Sequence, residues 1–176
     1  MKYSNVVVAG GGVLGSQIAF QAAYCGFNVT IWLRSEGSIG RTQPKIDHLK
    51  QTYIEAIEKM AEDKNAWCAG LADEDTFDKE ECLKKVENAY ANLKLELDMA
   101  KAVADADLVI ESMAENEKDK IAFYEKLSPL LPEKTVIVTI HRHFFHQCLQ
   151  NILADQTNIC HYILLILYGR IILQKL

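Results

Sequence analysis

The chain has 176 residues, a net charge of −5 and five cysteines. That length suffices for one well-buried α/β domain, and the lack of any lysine or arginine cluster excludes a nucleic-acid surface, which requires concentrated positive charge. The odd number of cysteines without a CxxC pair favours a reduced, cytoplasmic protein. Residues 1–3 lead straight into a predicted strand, so we expect no signal peptide. The most apolar run, residues 162–173, is interrupted by Gly169-Arg170 and is too short for a membrane span.

The chain opens with an apolar strand, residues 6–9, that runs into a glycine turn and a helix beginning at Val13 and Leu14. Glycines at this spacing serve a tight turn, the approach of backbone amides to a pyrophosphate, and close packing of helix on strand. These three glycines are Gly10, Gly12 and Gly15. The helix would aim its positive end at the phosphates. Glycines also serve ordinary turns, but a second strand at 28–33 completes the βαβ unit. The segment therefore predicts a dinucleotide site.

Strands and helices alternate along the rest of the chain as far as Thr139. Gly26 is the predicted C-cap of the first helix, and Pro44 fits the first turn of an amphipathic helix with apolar residues at helical spacing. Asp98 is a predicted helix cap. The other predicted elements are a charged helical stretch around 77–86, a half-exposed strand at 93–97, a helix at 99–104, a buried parallel strand at 107–111, a helix at 117–130 and a strand at 135–138. This alternation predicts the α/β class, as a Rossmann-like doubly wound parallel sheet with an incomplete C-terminus.

A second signature lies between residues 104 and 120, where the chain reads ADADLVIESMAENEKDK. It resembles the ADLVIEAxxEN stretch of the 3-hydroxyacyl-CoA dehydrogenases, including bacterial 3-hydroxybutyryl-CoA dehydrogenases, with that family's lysine on the following helix. The resemblance covers about residues 1–139 and implies that Glu115 and Lys120 lie at the cofactor. Both follow the carboxyl end of a predicted parallel strand, where open α/β sheets bind ligands. The alternative is a solvated pair at the start of a helix.

The chain departs from the family at the end of the second strand, where the family usually has an aspartate. Here Leu33 is followed by Arg34 and Ser35. A leucine cannot accept a hydrogen bond from the ribose 2′-hydroxyl, whereas an arginine fork and a hydroxyl suit a 2′-phosphate. We therefore hypothesise that the site tolerates or prefers NADP(H). Alternatively, Arg34 stacks on the adenine or points to solvent, which leaves NAD(H) as the cofactor.

The resemblance implies an NAD(P)-dependent oxidoreductase that transfers hydride between nicotinamide and the C3 hydroxyl or keto group of a short acyl-CoA. It also implies that full-length relatives are homodimers and that a histidine acts as general base. His48 precedes the tail and is interpreted as a surface or satisfied histidine rather than a catalytic base, so no catalytic residue is predicted in frame. One alternative is a nucleotide-binding fragment without catalysis. Another is an NADP-dependent β-hydroxyacid dehydrogenase related to 6-phosphogluconate dehydrogenase, which Leu33-Arg34-Ser35 favours and Glu115-Asn116 opposes.

The character of the sequence changes after Thr139, so we divide the chain into a dinucleotide-binding domain, residues 1–139, and an aberrant tail, residues 140–176. Four of the five histidines lie in this tail: His141, His143, His146 and His161. The family's Asn-Thr-Ser-like segment and His-Phe pair are absent in frame, but codons shifted by one base permit Asn-Ser-Ser, Thr-Gly-Arg-Pro and His-Phe. We hypothesise a one-base deletion in a longer gene. A metal site is the rival interpretation, and we predict none because no nearby carboxylate or thiol completes a ligand set.

Overall fold

The computed structural model describes residues 3–68, 70–114 and 116–140, and the backbone of two further strands at 162–167 and 170–175. The four tail histidines lie outside the described residues. The segment of the proposed frame change does so too, except for the backbone of those two strands. The helices and strands, in chain order, are β1 Asn5–Ala9, α1 Val13–Tyr24, β2 Asn28–Trp32, α2 Glu36–Glu62, α3 Lys79–Asn92, β3 Lys94–Glu96, α4 Met99–Val103, β4 Leu108–Glu111, α5 Glu117–Leu127, β5 Val136–Thr139, β6 Tyr162–Leu167 and β7 Arg170–Lys175.

The first five strands form one parallel sheet in the order β3-β2-β1-β4-β5. Its central strands, β1 and β4, are apolar apart from Asn5 and Glu111 because helices cover both faces. One core layer joins the sheet to α1, α2 and α3, and the other joins it to α4 and α5. β6 and β7 form a separate antiparallel pair. The predicted Rossmann-like α/β fold is confirmed, and the order reverses between β1 and β4, where such sheets bind ligands.

Of the two capping residues read from the sequence, Asp98 acts as predicted, whereas the C-cap of α1 is Cys25 and Gly26 lies one residue beyond it. The Asp98 carboxylate accepts a hydrogen bond from the Lys101 amide at 3.3 Å, at the start of α4. Gly26 follows the last residues of α1 with φ at +91°, a conformation that favours glycine. The helix predicted at 117–130 is α-helical to Leu127, and Ser128–Leu130 continue it as one 3₁₀ turn.

The prediction that Pro44 lies in a first helical turn is wrong. α2 begins at Glu36, and Pro44 lies in its interior on the exposed side. The proline nitrogen carries no hydrogen and cannot bond to the Gly40 carbonyl. The neighbouring Arg41 carbonyl accepts a hydrogen bond from the Lys45 ammonium group instead. The start of α2 escaped prediction because residues 36–40 contain a single apolar side chain, Ile39, and so give almost no apolar periodicity.

The apolar residues that predicted this helix do face the core, where Ile46, Ile57 and Met60 are buried. His48 is exposed, as expected of a surface histidine. None of the helices in the described part of the chain is both long and apolar enough to cross a bilayer.

Asp107, immediately before β4, ties together the beginnings of the two central strands. One carboxylate oxygen accepts hydrogen bonds from the Ser4 and Asn5 amides, each at 2.9 Å. The other accepts from the Lys134 ammonium group at 2.6 Å. The Lys134 hydrogen bond, followed by those of the two amides, lowers the pKa of Asp107 to about 2.

This pKa predicts a specific loss of stability in acid. The ordinary pKa of an aspartate is about 3.9, so the Asp107 contribution is complete above that value and is lost as the pH falls through the folded-state pKa. We expect Asp107→Asn to lower the melting temperature at pH 7, and the difference from the unchanged protein to narrow between pH 4 and pH 2. Circular dichroism melting curves measure this. Exposed Asp105→Asn is the matched control, and an equal narrowing in that variant would contradict the assignment.

Candidate functional site

Three backbone segments meet at the carboxyl end of β1, and two glycines make their close approach possible. Gly10 has φ at +119°, and a Cβ atom there would lie 2.5 Å from the Ser112 carbonyl oxygen. A Cβ atom on Gly15 would lie 2.1 Å from the Gly10 carbonyl oxygen. Gly15 therefore lets α1 pack against the turn, and Gly10 lets the turn pack against the segment after β4.

Gly12 has the opposite surroundings. A Cβ atom built on it meets nothing within 4 Å. Gly12 is the N-cap of α1 and lies in extended backbone, next to Val13 and Leu14, which are 67% and 46% exposed. The first amides of a helix have no partner within it and carry the positive end of its dipole. The structure thus brings unfilled space, exposed apolar surface and unsatisfied N–H groups to the switch point of the sheet.

The three residues predicted at the end of β2 divide between core and surface. Leu33 is 3% exposed and belongs to the hydrophobic core, with its Cδ2 atom 2.8 Å from the place a Cβ on Gly11 would take. Arg34 is exposed, and its guanidinium lies 3.3 Å from the Asp119 carboxylate of α5. The Arg34 side chain is still 65% exposed, so it is a surface residue with one weak partner on α5.

Ser35 leads into a cluster that the sequence analysis missed. Its hydroxyl lies 3.0 Å from the Ser38 hydroxyl, which accepts a hydrogen bond from the Arg41 guanidinium at 3.1 Å. The signal was present in the sequence as serine, serine and arginine three residues apart. Residues three apart on a helix are neighbours. It was overlooked because the helix was expected to begin near Pro44.

Lys120 is 3% exposed and bound to a carboxylate that the sequence analysis treated only as part of a strand. Its Nζ lies 3.0 Å from Oε2 of Glu111, a residue with 0% exposure at the end of β4. Glu111 also accepts hydrogen bonds from the Thr139 hydroxyl and the Met113 amide, both at 2.7 Å. The alternative that Lys120 belongs to a solvated pair is therefore wrong. Glu115, the other residue of that prediction, lies outside the described residues.

The buried pair affects a neighbouring tyrosine. Burial, followed by the charge of Glu111, raises the pKa of Tyr124 far above its ordinary value. Its hydroxyl is therefore protonated at neutral pH. Glu111 thus has a cation, a hydroxyl and an amide around it, as a buried carboxylate requires.

The described ranges contain no group of three histidine, cysteine, aspartate or glutamate side chains that could hold a metal ion. A cavity of about 440 Å³ lies apart from the glycine turn, between the end of α1 and the start of α3. Its lining includes Tyr24, Cys25, Cys82 and Lys85.

The contrast between two glycines yields a stability prediction. Gly15→Ala forces a Cβ atom against the Gly10 carbonyl, and we expect a loss of about 1–3 kcal/mol in the free energy of unfolding. Gly12→Ala enters open space and should change it by less than about 1 kcal/mol. Urea denaturation measures both values. Equal losses in the two variants would contradict the packing described for Gly15.

The buried Lys120–Glu111 ion pair yields a second stability prediction. Lys120→Met leaves the Glu111 charge without its cation, and we expect a loss of about 3–5 kcal/mol in the free energy of unfolding. The double variant with Glu111→Gln should lose less than the sum of the single changes. Exposed Lys118→Met, on the same helix, is the control and should stay within about 0.5 kcal/mol. An equal effect at both lysines would show that the pair does not stabilise the fold.

Two comparisons concern sequence. The family model described as 3-hydroxyacyl-CoA dehydrogenase, NAD binding domain, matches residues 5–160. A mitochondrial hydroxyacyl-coenzyme A dehydrogenase of Rattus norvegicus is 28% identical over 135 residues, which cover 77% of this chain and 38% of that protein. A probable 3-hydroxyacyl-CoA dehydrogenase of Caenorhabditis elegans is 26% identical over 138 residues, covering 78% of this chain and 39% of that protein. The chain spans less than two fifths of the length of these relatives.

Two solved structures are similar in fold. A diketoreductase superposes with a TM-score of 0.71 at 29% identity, covering 93% of this chain and 50% of that one. That enzyme is described as a substrate-directed dual catalyst of dicarbonyl compounds. An (S)-3-hydroxybutyryl-CoA dehydrogenase from Ralstonia eutropha superposes with a TM-score of 0.69 at 16% identity, with the same coverage. The second likeness concerns the fold alone. Since the family model matches most of the chain, the protein belongs to the 3-hydroxyacyl-CoA dehydrogenase family.

Proposed function

We propose that the chain binds a nicotinamide dinucleotide at the carboxyl edge of β1, with the diphosphate on the first amides of α1. The strongest support is the open space around Gly12 beside those amides. In this proposal a phosphate oxygen takes the place that a side chain would otherwise fill, and it accepts the N–H groups that the helix leaves unsatisfied. Because the first turn of α1 has no acidic side chain, no charge of its own opposes a diphosphate.

The surroundings of the turn support the same placement. Val13 and Leu14 expose apolar surface that a bound coenzyme would cover. The resemblance assigns Glu115 and Lys120 to the coenzyme. In the proposal, Lys120 acts from beneath the segment after β4, because Glu111 holds its ammonium group in a buried position. It then contributes by holding the Glu111 carboxylate, which accepts from the Met113 amide, rather than by an exposed contact.

We propose further that the parent activity is reversible hydride transfer between nicotinamide and the C3 hydroxyl or keto group of a short acyl-CoA. Family membership supports this reaction class over the β-hydroxyacid dehydrogenase alternative, which Leu33-Arg34-Ser35 favours. The coenzyme, when bound, supplies or accepts the hydride. A general base must remove the hydroxyl proton, and the only histidine in residues 3–140, His48, is exposed on α2. We therefore propose that this chain retains coenzyme binding with little or no turnover.

We also propose a cellular setting, partners for full-length members and a coenzyme form. A reducing, cytoplasmic setting is supported by the odd number of cysteines and the lack of a CxxC pair in the sequence. The rat relative is named mitochondrial. Full-length members would pair as homodimers and would bind acyl-CoA. The coenzyme is NAD(H) or NADP(H), and Arg34 with Ser35 supports the latter.

Coenzyme fluorescence tests the binding proposal. We expect NADH or NADPH emission to change saturably when the folded protein is added. Gly12→Ala should weaken that binding at least about tenfold, because its methyl group occupies the place of a phosphate oxygen. Gly40→Ala is the matched control, since a Cβ atom there also meets nothing within 4 Å. A folded protein that ignores both coenzymes at millimolar concentration would contradict the proposal.

Oxidation of NADH and NADPH in the presence of acetoacetyl-CoA distinguishes a working dehydrogenase from a coenzyme-binding fragment without catalysis. We expect no turnover while coenzyme binding persists. Sustained turnover dependent on acetoacetyl-CoA would contradict the view that this chain lacks its catalytic base.

A further inference from the structure

We propose that the start of α2 is a binding site for the 2′-phosphate of NADP(H), formed by Arg34, Ser35, Ser38 and Arg41. The inference rests on the dinucleotide site proposed above and names the coenzyme form that this site selects. It adds Ser38 and Arg41 to the residues that determine specificity.

The two serines and Arg41 already form a connected set of hydrogen-bonding groups. Ser35 is the N-cap of α2, yet its hydroxyl caps no amide of the helix. The Ser38 amide is bonded to the Ser35 carbonyl at 2.9 Å, and the two hydroxyls lie 3.0 Å apart. The Arg41 guanidinium donates to the Ser38 hydroxyl at 3.1 Å, so that hydroxyl can donate its own hydrogen bond to a ligand. A phosphate oxygen would accept from these donors.

Two guanidinium groups, those of Arg34 and Arg41, supply the positive charge of the cluster. Arg41 takes part in none of the ion pairs found in the described residues, so its charge is available. Arg34 is paired with Asp119, but the two side chains are 65% and 46% exposed, and such pairs are weak. Glu36 is the nearest acid in sequence. It stands two residues from Ser38, which places it on another face of α2.

The position of the cluster fits the ribose end of the proposed coenzyme. Arg34 and Ser35 follow β2 directly, and the Trp32 carbonyl accepts a hydrogen bond from the Gly10 amide of the glycine turn at 3.1 Å. A carboxylate here would accept the 2′-hydroxyl of NAD(H). Leu33 stands in its place and is buried in the core, so the described surface offers donors in place of that acceptor. A 2′-phosphate, which carries acceptors only, satisfies those donors.

Asp119 competes with the proposed 2′-phosphate for the Arg34 guanidinium. It holds Arg34 in the free protein and adds a negative charge close to where the phosphate would bind. Binding of the 2′-phosphate then exchanges one partner of Arg34 for another. Loss of the Asp119 charge should therefore favour NADP(H) over NAD(H).

Dissociation constants of NADPH and NADH, measured by coenzyme fluorescence on the full chain, test the inference. We expect NADPH to bind the unchanged protein at least about tenfold more tightly than NADH. Arg41→Met should weaken NADPH about tenfold and leave NADH within about twofold. Asp119→Asn should tighten NADPH more than NADH. The matched control is exposed Lys59→Met, which removes one charge about 27 Å along the same helix and should leave the ratio unchanged.

The binding of 2′,5′-ADP and 5′-AMP, measured by calorimetry, repeats the comparison without the nicotinamide. Preference for 2′,5′-ADP that falls in Arg41→Met supports the phosphate site. Tighter binding of NADH than of NADPH, or an equal effect of Arg41→Met on both coenzymes, overturns it while the dinucleotide site stands. Failure of both coenzymes to bind overturns the dinucleotide site and, with it, this inference.

Discussion

The structure depends on a single close crossing, at which the turn after β1, the first turns of α1 and the segment after β4 touch through backbone atoms. Gly10 and Gly15 permit this contact, because a Cβ atom on either would lie within 2.5 Å of a carbonyl oxygen. The crossing brings the start of α1 to the switch point of the sheet. It also leaves Gly12 facing open space.

A second constraint fixes the other side of the same edge. Glu111 ends a strand that is otherwise apolar, and its carboxylate gathers Lys120, Thr139 and the Met113 amide. β4 is thereby tied to α5 and to β5. Desolvation of two charges is costly unless both are paired and hydrogen-bonded, so the pair acts as a unit. The Met113 bond holds the segment against which the glycine turn packs.

Much of this could be predicted from the sequence because local and global preferences agree. Residues 108–110 of β4 are apolar, as predicted for a buried strand. Asp98 marks the start of α4 and Gly26 follows the end of α1, both with ordinary capping chemistry. Three features escaped. The first turns of α2 have almost no apolar periodicity, the Glu111–Lys120 pair joins residues on different elements, and the burial of Leu33 depends on packing against Gly11. Such contacts follow from tertiary structure, and spacing along the chain gives little indication of them.

The central claim is that a coenzyme diphosphate lies on the first amides of α1. Nuclear magnetic resonance of the ¹⁵N-labelled protein, titrated with NADH or NADPH, tests it most directly. We expect large, saturable shifts of the Gly12, Val13 and Leu14 amide signals, because these N–H groups acquire phosphate acceptors. Binding that leaves those three signals unmoved and shifts the amides around the Cys82 cavity instead would contradict it.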